Sequence, residues 1–371
     1  MMLEKGVEER TFYLNLGPQH PSTHGVLRIV LEMDGEFIVT ADPIIGYGHR
    51  AHEKMAELRT YQQYLPNMGR VDYLHALAYN QCYCMAVEKL AGLVVPERAE
   101  FIRVITSELN RISSHLLWFG AYLLDLGAFT PFLYCFDDRE QILDLLDRLT
   151  GSRLTYCFYR FGGVPVDVDD DFIAGCRAFI QRLRSRWDDY DNLVTKNVIF
   201  IHRTRDVGVL SPELALKYGV TGPTLRGSGI PYDIRKSEPF SVYPLFDFEI
   251  PIGERGDVMD RYLVRLREME QSLRIIEQAL DKLPNGPIMA DKVPKRLKPP
   301  EGEVFTAVET ARGEFGIYLV SKGDVKPYRV KLRVPCFSNL SVLPELIQDT
   351  MVADAVAILG SLDLVIPEID R

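Results

Sequence analysis

One helical repeat constrains this chain more than any other feature. From Glu97 to about Gly127, Ile102, Ile105, Leu109, Ile112, Leu116 and Phe119 return every three or four positions. That period puts one apolar stripe along a long helix, and the stripe must be covered. The same helix runs into the stretch 115–136, HLLWFGAYLLDLGAFTPFLYCF, which is nearly uncharged. A membrane span needs about 18–20 apolar residues, so this stretch is long enough to be considered one. Asp125 sits at its middle, Pro131 breaks it, and Gly120 and Gly127 weaken it. A carboxylate at mid-span is costly in lipid. The stretch therefore reads as helix buried in a large protein core, with any membrane touched from outside.

Other segments build around that helix. Residues 25–33 and 36–41 flank Asp34-Gly35, a strong short hairpin signal. Helical period returns over 52–93, with Leu74, Leu77, Cys84, Val87 and Leu90 on one face, then over 136–149 and 169–193. Residues 203–257 are turn-rich and strand-poor, and a long irregular segment usually marks function or interface. Helix is expected again over 258–282 and, near the end, over 342–359. Strands are expected over 303–310, 315–321 and 328–334. Strands and helices are segregated, which favours an α+β fold. The expected plan is a long central helical bundle with β units from the N- and C-terminal segments. Its parts are 1–51, 52–300 and 301–371, integrated into one domain.

Composition excludes some functions. The 371 residues carry 43 basic and 52 acidic side chains, a formal charge of −9. Nucleic-acid binding wants a basic excess, so no nucleic-acid partner is expected. Met1-Met2-Leu3-Glu4-Lys5 leads into charge and not into an apolar signal segment. The six cysteines, at 82, 84, 135, 157, 176 and 336, have no framework spacing. Free thiols in a reducing cytosol are expected. No C-x-x-C pair occurs, and Cys82-Tyr83-Cys84 would diverge on a helix. An iron–sulfur cluster or nickel site held by this chain alone is therefore disfavoured. Signatures for dinucleotide, ATP, serine-hydrolase and zinc-protease sites are also absent.

Four segments could carry chemistry. Gly17-Pro18-Gln19-His20-Pro21-Ser22-Thr23-His24-Gly25 is stiffened by proline and can hold imidazoles in place. A structural loop, a ligand-facing histidine and a metal site all remain open for it, although no third metal ligand lies nearby. His49, Arg50, His52, Glu53 and Lys54 cluster where strand gives way to helix. They form either a solvated helix start or an electrostatic lining for a redox centre or proton path. Arg70-Val71-Asp72-Tyr73-Leu74-His75 opens a helix. A tyrosine there is ordinarily core with its hydroxyl satisfied. Asp125 is a lone carboxylate in an apolar helix and needs a partner, for which a histidine is natural.

Several long stretches resemble one family. Residues 15–31 (NLGPQHPSTHGVLRIVL), 69–75 (GRVDYLH), 225–236 (LRGSGIPYDIRK), 246–275, 311–320 (ARGEFGIYLV) and the terminal Glu368-Ile369-Asp370-Arg371 are similar to the 49 kDa subunit family of respiratory complex I, the NADH–quinone oxidoreductase. The match runs nearly end to end. That family is in turn similar to the large subunit of nickel–iron hydrogenases, whose two C-x-x-C motifs hold the metals. The corresponding segments here, around His49–Lys54 and at the C-terminus, contain no cysteine. The resemblance thus implies a hydrogenase-large-subunit-like scaffold, emptied of metal and reused for quinone.

The resemblance also implies roles. His24 corresponds to the histidine at the quinone headgroup, Tyr73 to the tyrosine on its other side, and Asp125 to the carboxylate that partners the histidine. Arg50 corresponds to an arginine near the terminal iron–sulfur cluster of a neighbouring subunit. Quinone is then substrate, while cluster and flavin belong to partner subunits. Other peripheral-arm subunits and a membrane-arm subunit are the implied partners, on the cytoplasmic side of a membrane the chain does not span. A related complex with another electron donor, and a non-catalytic assembly scaffold, are the alternatives. Departures are Gly48 where the family often has Leu, Ala51 where it usually has Gly, Tyr156-Cys157 in place of His-Asn, Cys336 for Ser and Pro367 for Gly.

Overall fold

The computed structural model describes residues 11–19 and 25–371. Strands β1 (Phe12–Leu16), β2 (Arg28–Asp34) and β3 (Phe37–Ile44) form an antiparallel sheet in that order. Asp34-Gly35 makes the expected hairpin, with Gly35 at φ 60°. Three short elements follow: α1 (His52–Leu58), α2 (Tyr61–Met68) and α3 (Ala76–Ala91). The helical period expected over 52–93 is thus interrupted twice. Thr60 and Gln63 close a capping box on α2, and residues 69–75 form a bend that takes Tyr73 and Leu74 out of helix.

Helix α4 (Glu97–Asp125) is the axis of the molecule. Its neighbours include α3, α5 (Phe129–Thr150), α11 (Val258–Asp281) and α14 (Val352–Ser361). The stripe reading needs correction, because α4 is buried on every side from Phe101 to Phe119, except for half-buried Leu117. Arg103, Glu108, Arg111 and His115 are buried with it, which is tolerable only because each faces an opposite charge or a carbonyl. Asp125 is also corrected. It is not mid-helix: it ends α4, half-buried, and a turn at 126–128 leads into α5. Pro131 lies in the first turn of α5, where a missing N–H is harmless.

Helix α6 (Asp170–Tyr190) is capped by Asp169, whose side chain accepts from Phe172 N. It runs into a π-helical turn, Asp191–Thr195. The turn-rich middle holds short helices: α7 (Val198–Thr204), α8 (Pro212–Lys217), α9 (Gly222–Gly227) and α10 (Ile234–Ser237), then a 3₁₀ turn at Tyr243–Leu245. A second antiparallel sheet, β4 (Glu301–Thr310), β5 (Gly313–Lys322) and β6 (Arg329–Arg333), follows α11 and packs on α3. The helix expected over 342–359 is broken. After α12 (Pro335–Ser341) and α13 (Leu343–Ile347), residues near 350 leave helix to bond strand β3, with Ile38 N donating to Thr350 O at 2.9 Å. Helix α14 then leads to a last turn, α15 (Ile366–Asp370). Two small sheets on a helical body make the fold α+β, as read.

Candidate functional site

Tyr73 sits on the bend between α2 and α3, and its neighbours hold that bend from two sides. Asp72 is fully buried, and one of its carboxylate oxygens accepts from Leu74 N (2.9 Å) and His75 N (3.2 Å). The other accepts from Arg312 Nη1 at 2.9 Å. His75 Nδ1 accepts from Ala311 N (2.9 Å), so its Nε2 carries the proton donated to Ser107 O (3.1 Å). Burial holds the His75 pKa well below the usual value. Tyr73 itself is half-buried. Its pKa is raised, first by burial and then by the Asp72 charge. Among the described residues its hydroxyl has no hydrogen-bond partner, so the ordinary core tyrosine with a satisfied hydroxyl is not what they show.

Arg312 stands at the tip of the β4–β5 hairpin, yet it is fully buried. The tip can be buried because the start of α9 comes close against it where Gly222 and Gly313 carry no side chain. A Cβ on Gly222 would lie 2.4 Å from Arg312 O, and one on Gly313 would lie 2.5 Å from Thr221 Oγ1. Arg312 also donates to Ser114 Oγ of α4 (3.0 Å) and to Asp363 (3.4 Å). Asp125 lies farther along α4, about 16 Å beyond Ser114 at about 1.5 Å per residue. His24 lies outside the described residues, so its pairing with Asp125 is not among the contacts observed. An apolar groove lined by Leu123, Leu126, Leu193, Ile199 and Phe200 opens beside the end of α4.

Arg50 is exposed, in the loop between β3 and α1. The structure brings that loop to the C-terminus. The Asp370 carboxylate accepts from Gly46 N (2.7 Å) and Gly48 N (2.6 Å), and His49 Nδ1 donates to Asp370 O (2.6 Å). A Cβ at Gly48 would sit 3.1 Å from Asp370 Oδ2, a tight contact that a small shift of the carboxylate would relieve. Ala51 takes a left-handed φ of 53°, a conformation that favours the glycine of the resembling family. An open cavity of about 430 Å³ lies between loop and tail, lined by Glu53, Lys54, Arg329, Lys331 and Arg371 among others. His52 is buried behind it, and burial, then Arg50, lowers its pKa to about 4.

The sequence reading missed a buried ionic assembly. Glu108 of α4 accepts from Arg111 (3.1 Å), Arg235 (3.2 Å), Ser272 (2.6 Å) and Tyr243 (2.6 Å). Burial alone would raise its pKa, but the two guanidiniums and two hydroxyls hold it down at about 2. Arg226 pairs with Glu268 and with Glu309 (2.8 Å), and His115 lies 3.3 Å from Glu268. Arg226, Asp233, Arg235, Glu268 and Ser272 lie in the stretches 225–236 and 246–275 that carry the family resemblance, whereas Glu108, Arg111 and His115 come from α4, outside them. Their signal was charge density in segments that bury their neighbours.

Among the described residues, no group of three His, Cys, Asp or Glu is placed to hold a metal ion. No described helix is long and apolar enough to cross a membrane. All six cysteines are free, and only Cys157 is not fully buried.

Comparison with known proteins supplies the family. The model of the respiratory-chain NADH dehydrogenase 49 kDa subunit matches residues 125–299 and 292–371. An NADH-quinone oxidoreductase subunit from Syntrophobacter fumaroxidans is 66% identical, covering 98% of this chain and 98% of its own length. The like-named protein from Desulfotalea psychrophila is 61% identical over the same shares. One from Dehalococcoides mccartyi is 50% identical over 98% of this chain and all of its own length.

Proposed function

The chain belongs to the 49 kDa subunit family of the respiratory-chain NADH dehydrogenase, and from that premise we propose that it forms the quinone headgroup site of the complex. It is a subunit of an NADH–quinone oxidoreductase, and its chemistry is quinone reduction within that assembly. Quinone takes two electrons and two protons, and its oxygens gain negative charge as electrons arrive. Donors aimed at both oxygens stabilise that charge. Tyr73 is one donor and His24 the other, with Asp125 orienting His24 and favouring its protonated form. An iron–sulfur cluster held by a neighbouring chain would supply the electrons, and Arg50 faces that neighbour.

The observation that carries this reading is the Tyr73 hydroxyl, half-buried and unpartnered among the described residues. The bend beneath it is fixed by Asp72, Arg312 and His75. A donor held this way costs little reorganisation when charge develops. Segments 1–51, 52–300 and 301–371 act together here, since one core draws on all three. The partners are a cluster-bearing chain and the other peripheral-arm subunits, with a membrane-arm subunit from whose side quinone enters. The flavin sits on a further chain, and the complex docks on the cytoplasmic face of the membrane.

Tyr73→Phe and His24→Ala, assayed in assembled complex with several quinones, test this. Loss of a positioned proton donor is expected to lower kcat/KM by about 10²-fold or more. Unchanged turnover and unchanged KM in both variants would sink the assignment.

A further inference from the structure

The last turn of the chain is bonded to the loop that carries Arg50. Asp370 ends α15 and is buried, and its two carboxylate oxygens are divided between two N–H groups of that loop. Oδ1 accepts from Gly46 N at 2.7 Å and Oδ2 from Gly48 N at 2.6 Å, while Asp370 O accepts from His49 Nδ1 at 2.6 Å. One residue thus holds three positions of the short stretch that leads to Arg50. It does so across a sequence separation of 324 residues at Gly46.

Both sides of this contact are shaped for it. Arg371 anchors the tail, with its guanidinium over the Phe337 ring of α12 at 5.1 Å and its N–H donating to Pro367 O at 3.0 Å. In the loop, Gly46 takes a φ of 109°, a conformation that favours glycine, and His49 N closes a turn onto Gly46 O at 3.2 Å. Two converging N–H groups need two acceptor oxygens, which a carboxylate supplies; an amide would set its NH₂ against one of them. Arg50 follows the turn. It is exposed, and no carboxylate pairs with it among the described residues, so its charge is available to a group outside the chain.

We propose that Asp370 is a positioning residue for electron entry: it pins the β3–α1 loop so that Arg50 stands against the iron–sulfur cluster of the neighbouring chain. This rests on the reading of Arg50 given above. An added electron makes a cluster more negative, and a nearby cation favours that form and raises the cluster's potential. The effect falls with distance, so it depends on how the loop is held as well as on Arg50 itself. The Tyr73 bend is held by other residues, Arg312, Ala311 and Ser107. Electron entry and headgroup binding are therefore separable by mutation.

The experiment uses the assembled complex, with the cluster titrated by electron paramagnetic resonance. Asp370→Asn should move the cluster potential to more negative values, in the same direction as Arg50→Met. Quinone reduction should fall about tenfold in kcat with KM unchanged, because a misplaced, more negative cluster is filled less readily while the headgroup site is intact. Asp370→Glu keeps two acceptor oxygens and should recover part of both. Asp370→Ala carries the test if Asp370→Asn does not assemble. A tail that only stabilises the fold would lower the yield of complex and leave the potential of what assembles at the wild-type value. That result, with Arg50→Met shifted, overturns the positioning role alone. An unshifted potential in Arg50→Met removes the reading of Arg50, and the role of Asp370 with it.

Discussion

Two sets of ion pairs in this molecule use the same residues for different ends. Around Arg312 and Glu108 every charge is buried, and donors close on it from several elements of the fold. Between α5 and α6 the pairs are as numerous but largely in water. Arg148 reaches Asp169 (2.7 Å) and Asp171 (2.8 Å), with roughly half of each side chain or more exposed. The buried set ties α4 to the segments flanking it, so it fixes where Tyr73 and the hairpin tip stand. The exposed set ties two helices that already pack on each other, with Leu145 of α5 against Gly175 of α6. Burial, more than bond count, decides which set specifies the site.

Breaking the buried set at its hub should cost most. Arg312→Met leaves Asp72 and Asp363 buried with less or no counter-charge, a loss of about 3–5 kcal/mol. Thermal or denaturant unfolding of the purified subunit would read it. A loss below about 1 kcal/mol would erase the contrast between the two sets.

Acid titration gives a smaller and ordered effect. His52 is held neutral, with its pKa lowered to about 4. The unfolded chain binds that proton first, so stability falls as pH drops from about 6.5 through about 4. Glu108 and Glu268, both held at about 2, contribute stability that is lost only lower, between about 4.5 and about 2. His75 and His115, also buried with lowered pKa values, share the first slope, so His52→Phe should make it shallower without abolishing it and leave the second. A first slope identical in the variant would show that His52 does not carry it.

Legibility in the sequence follows the same division. Periodicity and turn signals found α4, α6, α11 and both hairpins, because those elements are set locally by spacing, caps and Asp-Gly chemistry. The same logic failed at 69–75, where Tyr73 leaves helix because Asp72 and His75 bond to a hairpin more than two hundred residues away. Asp125 was misread as mid-helix because an apolar run does not announce where its helix stops. Arg312, Asp363 and Asp370 received no role, although Arg312 and Asp370 lie inside stretches that carry the family resemblance. A charge inside a motif does not reveal that it is buried, and burial is what gives these residues their chemistry.

The weakest expected effect lies on α5, where two adjacent aspartates share the same pair of arginines. Asp138 is fully buried and accepts from Arg182 (3.0 Å), Arg186 (3.3 Å) and Tyr190 (2.7 Å). Asp137 meets the same arginines at 2.5 and 3.0 Å but is about half exposed, at 55%. Asp137→Asn leaves both guanidiniums on Asp138, and water replaces the lost carboxylate. Stability should change by no more than about 0.5 kcal/mol, and added salt should shrink even that. Unfolding of the variant at low and high salt measures it. A loss above about 1 kcal/mol that persists in salt would mean that exposure does not separate these pairs. The line drawn between the two sets would then have to be redrawn by geometry alone.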